Sequence, residues 1–452
     1  MPSKSNKPTE IDGGDPLPLS PFEQYMICDE RLDSYPMSVA LHWAALGEPR
    51  RDSFRKAFRE AISWHPLLHS LVDHDVWRIS ENAVSDVQFF DNGDQPTAAD
   101  RRVDARNGPT VRCNVIEQGE ETSIEFMFHH AATDGVSFVE FCGDVFAIYA
   151  ASIGNFDPAK IRRPTHRYLT QRANVDLAIP EPVSRSTALK FTAKESLRFV
   201  TRRAETVAAD IERDTTQRDR CGGLRMMEVP FNLEESERVF AANTNGEASL
   251  NEWAILALMR VIAKWNDDHN APSRRGWLVT NMPVLLRPRK AVRISAANMI
   301  GYGFLARQRD GIEDWDSAIQ SLTEESRFIQ RWKVAGMFLN GVAAVRRIPG
   351  ALFFATRTTR PATCVVTNIG DPTRRFRNKL PLDERGRTIV GNFKLTRLSG
   401  SPPLRPGTHV SSSINTMGGK INLSLRVMPD FLSQNAANKL ASMWKQEMIV
   451  HS

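Results

Sequence analysis

The chain has 452 residues, 41% hydrophobic and 25% charged, with a formal net charge of +6. That is an ordinary globular composition, long enough for two or three domains or for two large subdomains with ample core. The mild basic excess contains no basic run interleaved with aromatics, which argues against nucleic acid as a partner. A basic groove for a phosphorylated cofactor, or for an acidic carrier protein, accounts for the charge as well.

Residues 1–18 are polar and rich in Pro, Gly and Asp, with no apolar signal segment, and read as a disordered lead-in. Asp52 or Ser53 can cap a helix whose Phe54, Ala57, Phe58, Ala61 and Ile62 fall on one face. Pro66 should end it, because the residue before a proline leaves the helical region. Strands are predicted at 76–80, 110–117 and 122–128. The last alternates in the half-buried manner of Ser123-Ile124-Glu125-Phe126-Met127-Phe128. A helix over 136–151 follows. Its Phe138, Val139, Phe141, Cys142, Val145, Phe146 and Tyr149 occupy most faces, so it should be buried.

Residues 158–222 are rich in Arg, Lys, Thr and Glu, with helical spacing at Leu189, Leu197, Val200, Val207 and Ile211. They read as a partly helical connection whose charge is a solvated face. Its span is set at 161–222, between an N-terminal subdomain of 19–160 and a C-terminal one of 223–452. In the latter, Ser249 and Glu252 form a capping box that opens a helix running through Trp265. Strands are predicted at 276–284, 363–369 and 421–427, and a terminal helix at 430–449 capped by Asp430. Strands and helices mixed in both halves argue for an α/β or α+β arrangement.

Cys28, Cys113, Cys142, Cys221 and Cys364 are scattered and odd in number, which favours reduced thiols and a cytoplasmic protein. The most apolar helix is expected around 254–263, broken by Arg260. No apolar run reaches the roughly 20 residues that span a bilayer.

The most informative stretch is His129-His130-Ala131-Ala132-Thr133-Asp134-Gly135, set between the strand at 122–128 and the buried helix. A neutral imidazole accepts a proton near pH 7, as general-base chemistry requires. Asp134 can fix the geometry of the turn, and Gly135 allows a tight turn. The alternatives are two histidines satisfied by backbone hydrogen bonds at a strand end, and a zinc site made of both histidines and the aspartate. Zinc is disfavoured by the scarcity of other ligands, and no metal is expected.

This pattern, His-His-x-x-x-Asp-Gly, resembles the signature of the CoA-dependent acyltransferase superfamily. That group includes chloramphenicol acetyltransferase, the condensation domains of peptide synthetases, wax ester synthases and polyketide-associated acyltransferases. The resemblance implies two chloramphenicol acetyltransferase-like subdomains forming a V around a tunnel, sufficient as a monomer. It implies that His130 takes the proton of a hydroxyl or amine acceptor, which then attacks a thioester directly. It also implies that Asp134 points away from the substrates and pairs with an arginine. His129 would face away from His130 and hold the turn, and Gly135 would leave room for substrate.

Trp64-His65-Pro66-Leu67-Leu68-His69 is similar to a second family element, with His69 where the family has arginine. Asn281-Met282-Pro283-Val284-Leu285-Leu286-Arg287 is similar to a third. That makes Arg287 a candidate partner for Asp134; with Arg289, Lys290 and Arg293 it could instead lie near phosphates or on a basic surface loop. Asn298-Met299-Ile300-Gly301 and Thr367-Asn368-Ile369-Gly370 also resemble family segments. Thr367 or Asn368 could donate to an oxyanion, or the latter segment could be an ordinary turn. The Asp-Phe-Gly-Trp-Gly motif of plant acyltransferases is absent. The resemblance thus implies a thioester donor, with acyl-CoA favoured over an acyl or peptidyl carrier protein, no permanently bound cofactor, and a small-molecule acceptor. A non-catalytic, carrier-binding protein is the rival.

Overall fold

The computed structural model describes residues 16–91, 94–178, 201–210, 225–245, 248–271, 276–288, 293–332, 334–358 and 361–452. Leu189, Leu197, Val200, Ile211, Cys221, Arg289, Lys290 and nearly all of the lead-in lie outside those residues.

The architecture is α+β and built on two six-stranded sheets. In the first, the strand order is Ile389–Val390, Phe393–Ser401, Ser38–Leu46, Glu121–His129, Val111–Gln118 and Gln88–Phe90. In the second it is Ile300–Arg307, Leu278–Leu285, Cys364–Gly370, Val410–Met417, Lys420–Val427 and Arg225–Pro230. A small sheet joins Leu17–Pro18 to Val76–Ile79 and Ser70–Asp73. Leu17 and Pro18 therefore belong to the fold rather than to a disordered lead-in.

Each large sheet has its own apolar cluster. On the first, helix Arg51–Ser63 buries the expected face of Phe54, Ala57, Phe58, Ala61 and Ile62. Its start differs from the prediction. Arg50 takes the cap position without a side-chain bond, its N–H donating 2.8 Å to the Tyr149 hydroxyl. Asp52 sits instead inside the first turn, where its charge favours the helix dipole. The helix stops at Ser63, and Pro66 opens a short 3-10 turn to His69.

Helix Gly135–Ser152 lies under the same sheet and is buried almost throughout. Among the described residues it is the one helix long and apolar enough to cross a bilayer, and 78% of it is packed inside the fold. Helix Leu250–Asp268, which holds the apolar run expected at 254–263, falls short of that over its length, because polar residues flank the run. In helix Gly135–Ser152, Gly143 admits the Phe376 ring, which a Cβ would meet at 2.5 Å.

The second sheet carries helices Leu250–Asp268 and Gln434–Val450. The first opens with the predicted Ser249–Glu252 capping box. The second starts later than predicted, with Ser433 rather than Asp430 as its cap. Residues 428–432 turn first, with the Leu432 N–H donating 3.1 Å to the Met428 carbonyl, which tucks Leu432 into the core.

Two features depart from the predicted division of the chain. Residues 389–401 leave the second half and pair along Ser38–Leu46, so 223–452 is not self-contained. Within the expected connection, Ala204, Glu205 and Val207 are buried, and Ala204 bridges Trp277, so 201–210 packs on the second half rather than forming a solvated face. Cys113, Cys142 and Cys364 are buried free thiols, and Cys28 is half-buried.

Candidate functional site

The cleft lies where the two sheets meet. Strand Glu121–His129 ends at the first histidine, and helix Gly135–Ser152 begins at the glycine, so 130–134 is a short turn between two buried elements. The turn is anchored from both halves. The His130 N–H donates 2.7 Å to the Met37 carbonyl, and the Asn298 amide donates 2.7 Å to the His130 carbonyl.

His130 is 6% exposed. Its Nδ1 lies 2.9 Å from the Thr133 carbonyl oxygen. A carbonyl only accepts, so Nδ1 carries the proton and Nε2 keeps its lone pair. Burial lowers the pKa below the ordinary histidine value, against the smaller opposing pull of the Thr133 carbonyl and Asp134. The ring is thus held neutral in the cleft wall.

His129 faces the other way, as strand alternation requires. Its Nδ1 accepts the Ala131 N–H at 3.3 Å, so Nε2 carries the proton, 3.2 Å from both oxygens of Glu30. Glu30 also accepts the Met37 N–H at 3.0 Å. His129 therefore fastens the turn to the loop that precedes Ser38–Leu46, away from the cleft.

Asp134 is fully buried and caps the motif helix, accepting the Ser137 N–H at 2.9 Å. The same carboxylate takes the Met299 N–H at 2.9 Å and the Arg287 guanidinium at 2.8 Å. Arg287 also bonds the Ser137 hydroxyl. Arg287 is thus the partner of Asp134 and not part of a basic surface loop. One carboxylate joins the motif turn to two segments of the second half.

Gly135 has no strained backbone, and a Cβ there would meet no atom within 4 Å. The tight turn expected at Gly135 therefore does not depend on its lacking a side chain. The glycine instead leaves open space in a cleft that it helps to line.

The cleft opens to solvent, and the space at its walls and mouth together is about 700 Å³. His130, Thr367, Asn368, Arg375, Ser401 and Ser413 supply its polar lining, while Leu41, Phe138, Leu285 and Ile300 are among its apolar walls. Asn368 lends its Oδ1 to the Gly370 N–H at 2.8 Å. His69 is half-buried at the end of its 3-10 turn and does not line the cleft. Among the described residues no cluster of His, Cys, Asp and Glu is arranged to hold a metal.

Sequence reasoning did not find the buried network around Asp144. That carboxylate bonds Arg293, His65 Nε2 at 3.1 Å and the Asn378 amide at 2.8 Å. His65 Nδ1 in turn accepts the Ala296 N–H at 2.8 Å. Arg293 is therefore committed to Asp144 rather than free for phosphate. The network positions 293–299, the segment that delivers Asn298 and Met299 to the motif turn. Its members are far apart in sequence, and only His65-Pro66 gave a local signal. Glu30, Arg375, Ser401 and Ser413 gave none.

No family model matches the chain. Two curated proteins of Mycobacterium tuberculosis, the uncharacterised MT2362 of strain CDC 1551 and Rv2305 of strain H37Rv, are each 24% identical over 323 residues, 67% of this chain and 69% of theirs. Among solved structures, the trichothecene 15-O-acetyltransferase TRI3 of Fusarium sporotrichioides aligns with a TM-score of 0.70 at 10% identity, over 99% of this chain and all of that one. The epimerization domain from the third module of tyrocidine synthetase B aligns at 0.66 and 14% identity, over 99% and 98% of the two chains. The starter condensation domain of rhizomide synthetase, solved with C8-CoA and Leu-SNAC, aligns at 0.64 and 12% identity, over 96% and 94%. From end to end, the chain shares the fold of peptide-synthetase condensation domains and of an O-acetyltransferase.

Proposed function

We propose that this protein transfers an acyl group from a thioester to a hydroxyl or amine, with His130 as general base. The observation that carries the reading is the tautomer of His130. Thr133 holds the proton on Nδ1, so Nε2 presents a lone pair, and no described residue hydrogen-bonds it. The acceptor gives its proton to Nε2 and forms a bond to the thioester carbonyl carbon. The carbon–sulfur bond then breaks, and the leaving thiolate takes the proton back from His130. Thr367 and Asn368 line the same cleft, and in this reading they donate to the oxyanion. His129, Asp134 and Arg287 position the turn and do not touch the substrates. A positioned base contributes about 10²–10⁴-fold, and the remaining acceleration comes from holding donor and acceptor together.

Acyl-CoA is the preferred donor, supported by the starter condensation domain that was solved with an acyl-CoA. A carrier-bound thioester is the second reading, supported by the condensation and epimerization domains among the structural neighbours. The test offers short, medium and long acyl-CoAs, and the same acyl groups on a carrier protein, with pooled alcohols and amines. Mass spectrometry then follows the acyl group. An acylated acceptor is the expected result. Failure to form one from either donor class contradicts acyl transfer.

The pH profile is a further prediction. The base must be neutral, and burial lowers its pKa. The acid limb of kcat/KM should therefore lie below the ordinary histidine value of about 6.5, with activity retained in mildly acidic buffer. The same shift makes the folded state bind this proton less readily than the unfolded chain. The stability that His130 contributes should be present above about pH 6.5 and decline as the pH falls below it. An acid limb above 6.5 would contradict a desolvated base.

A further inference from the structure

The motif helix and its cap carry Asp134, Glu140 and Asp144, and each holds an arginine from the second half of the chain. Asp134 pairs with Arg287, Glu140 with Arg377 and Asp144 with Arg293. Arg375 also belongs to this group, yet no acid of the described residues lies within ion-pairing distance of it. Its Nε donates 2.8 Å to the Ile369 carbonyl, which fixes the guanidinium in the wall of the His130 cleft. Desolvation works against its charge, with Glu140 and Asp134 opposing that effect from a distance. An arginine keeps its charge in a protein, and a desolvated cation without a counter-ion is costly. Ser401 gives an independent indication. It is 2% exposed, lines the same cleft, and its hydroxyl has no partner among the described residues.

We propose that the cleft takes an acceptor bearing a carboxylate, an amino or hydroxy acid, which Arg375 grips through its guanidinium while Ser401 supplies a second donor. This rests on the acyl-transfer reading of His130. A guanidinium and a carboxylate match in two-pronged geometry. The acyl chain has the apolar wall of Leu41, Phe138, Leu285 and Ile300. The phosphates of CoA suit Arg375 less well. The whole pantetheine arm separates them from the thioester, which must sit at His130, whereas Arg375 shares the cleft with His130 itself.

The test uses product analogues, so it reads binding without turnover. Short, medium and long N-acylglycines and their methyl esters are titrated by calorimetry into the full chain and into Arg375→Gln, Arg375→Lys and His130→Ala. The acid should bind the parent about tenfold more tightly than its ester, the size of one charge-assisted contact. Arg375→Gln should bind both alike, Arg375→Lys should keep part of the preference, and His130→Ala should keep all of it. Equal binding of acid and ester to the parent would overturn the proposal. So would no binding at any chain length, or a preference that survives in Arg375→Gln. CoA is titrated alongside; if Arg375→Gln weakens CoA and leaves the acid-to-ester ratio unchanged, the anion is a phosphate and the carboxylate is excluded. An acid preference in a parent protein that acylates nothing would leave this site standing and remove only the catalytic reading.

Discussion

His130→Ala lowers kcat by about 10²–10⁴-fold and leaves the fold intact. The ring makes one hydrogen bond, to the carbonyl of Thr133 in its own turn. The backbone bonds that anchor the turn run through the His130 N–H and carbonyl, which alanine retains. The lost ring borders an open cleft, so its place fills with water rather than leaving a sealed cavity. The checks are steady-state kinetics and far-UV and near-UV circular dichroism on the same preparations. Loss of activity with an unchanged spectrum is expected. An unchanged kcat removes His130 from the chemistry.

Asp134→Ala acts on the fold first and on the chemistry through it. The substitution strands the Arg287 guanidinium, the Met299 N–H and the Ser137 N–H together. Breaking one side of a buried ion pair costs about 3–5 kcal/mol, and the lost helix cap, about 1 kcal/mol by itself, falls within that range. The urea midpoint should drop accordingly. Because the same carboxylate fixes the turn that carries His130, turnover of the folded fraction should fall too. Asp134→Asn keeps an acceptor for the helix N–H groups and loses the charge, so its midpoint should lie between those of the parent and Asp134→Ala. A parent-like midpoint for Asp134→Ala would show that the carboxylate does not join the halves.

Local signals carried the sequence reading where the physics is local. The alternation at 122–128 gave the strand Glu121–His129, and the Ser249–Glu252 spacing gave a helix start that the structure matches. The candidate site was legible as a motif, and Arg287 as a candidate partner for Asp134, because each follows a recognisable strand. Non-local features were not legible. Nothing in residues 389–401 says that they cross to pair with Ser38–Leu46, because an alternating strand carries no record of its neighbour. Glu30 reaches His129 across 99 positions, and Arg375 joins the cleft only through the packing of the second half. The misplaced start of the last helix has a different cause. Asp430 and Ser433 are both good caps, and the turn that buries Leu432 decides between them.

The most direct measurement is thiol release from acyl-CoA by the parent protein and by His130→Ala, each with and without the acceptor pool. The account predicts release from the parent that requires acceptor and is lost in the variant. Release that is equal in the two proteins, or that proceeds without acceptor, would contradict general-base attack by a bound acceptor at His130.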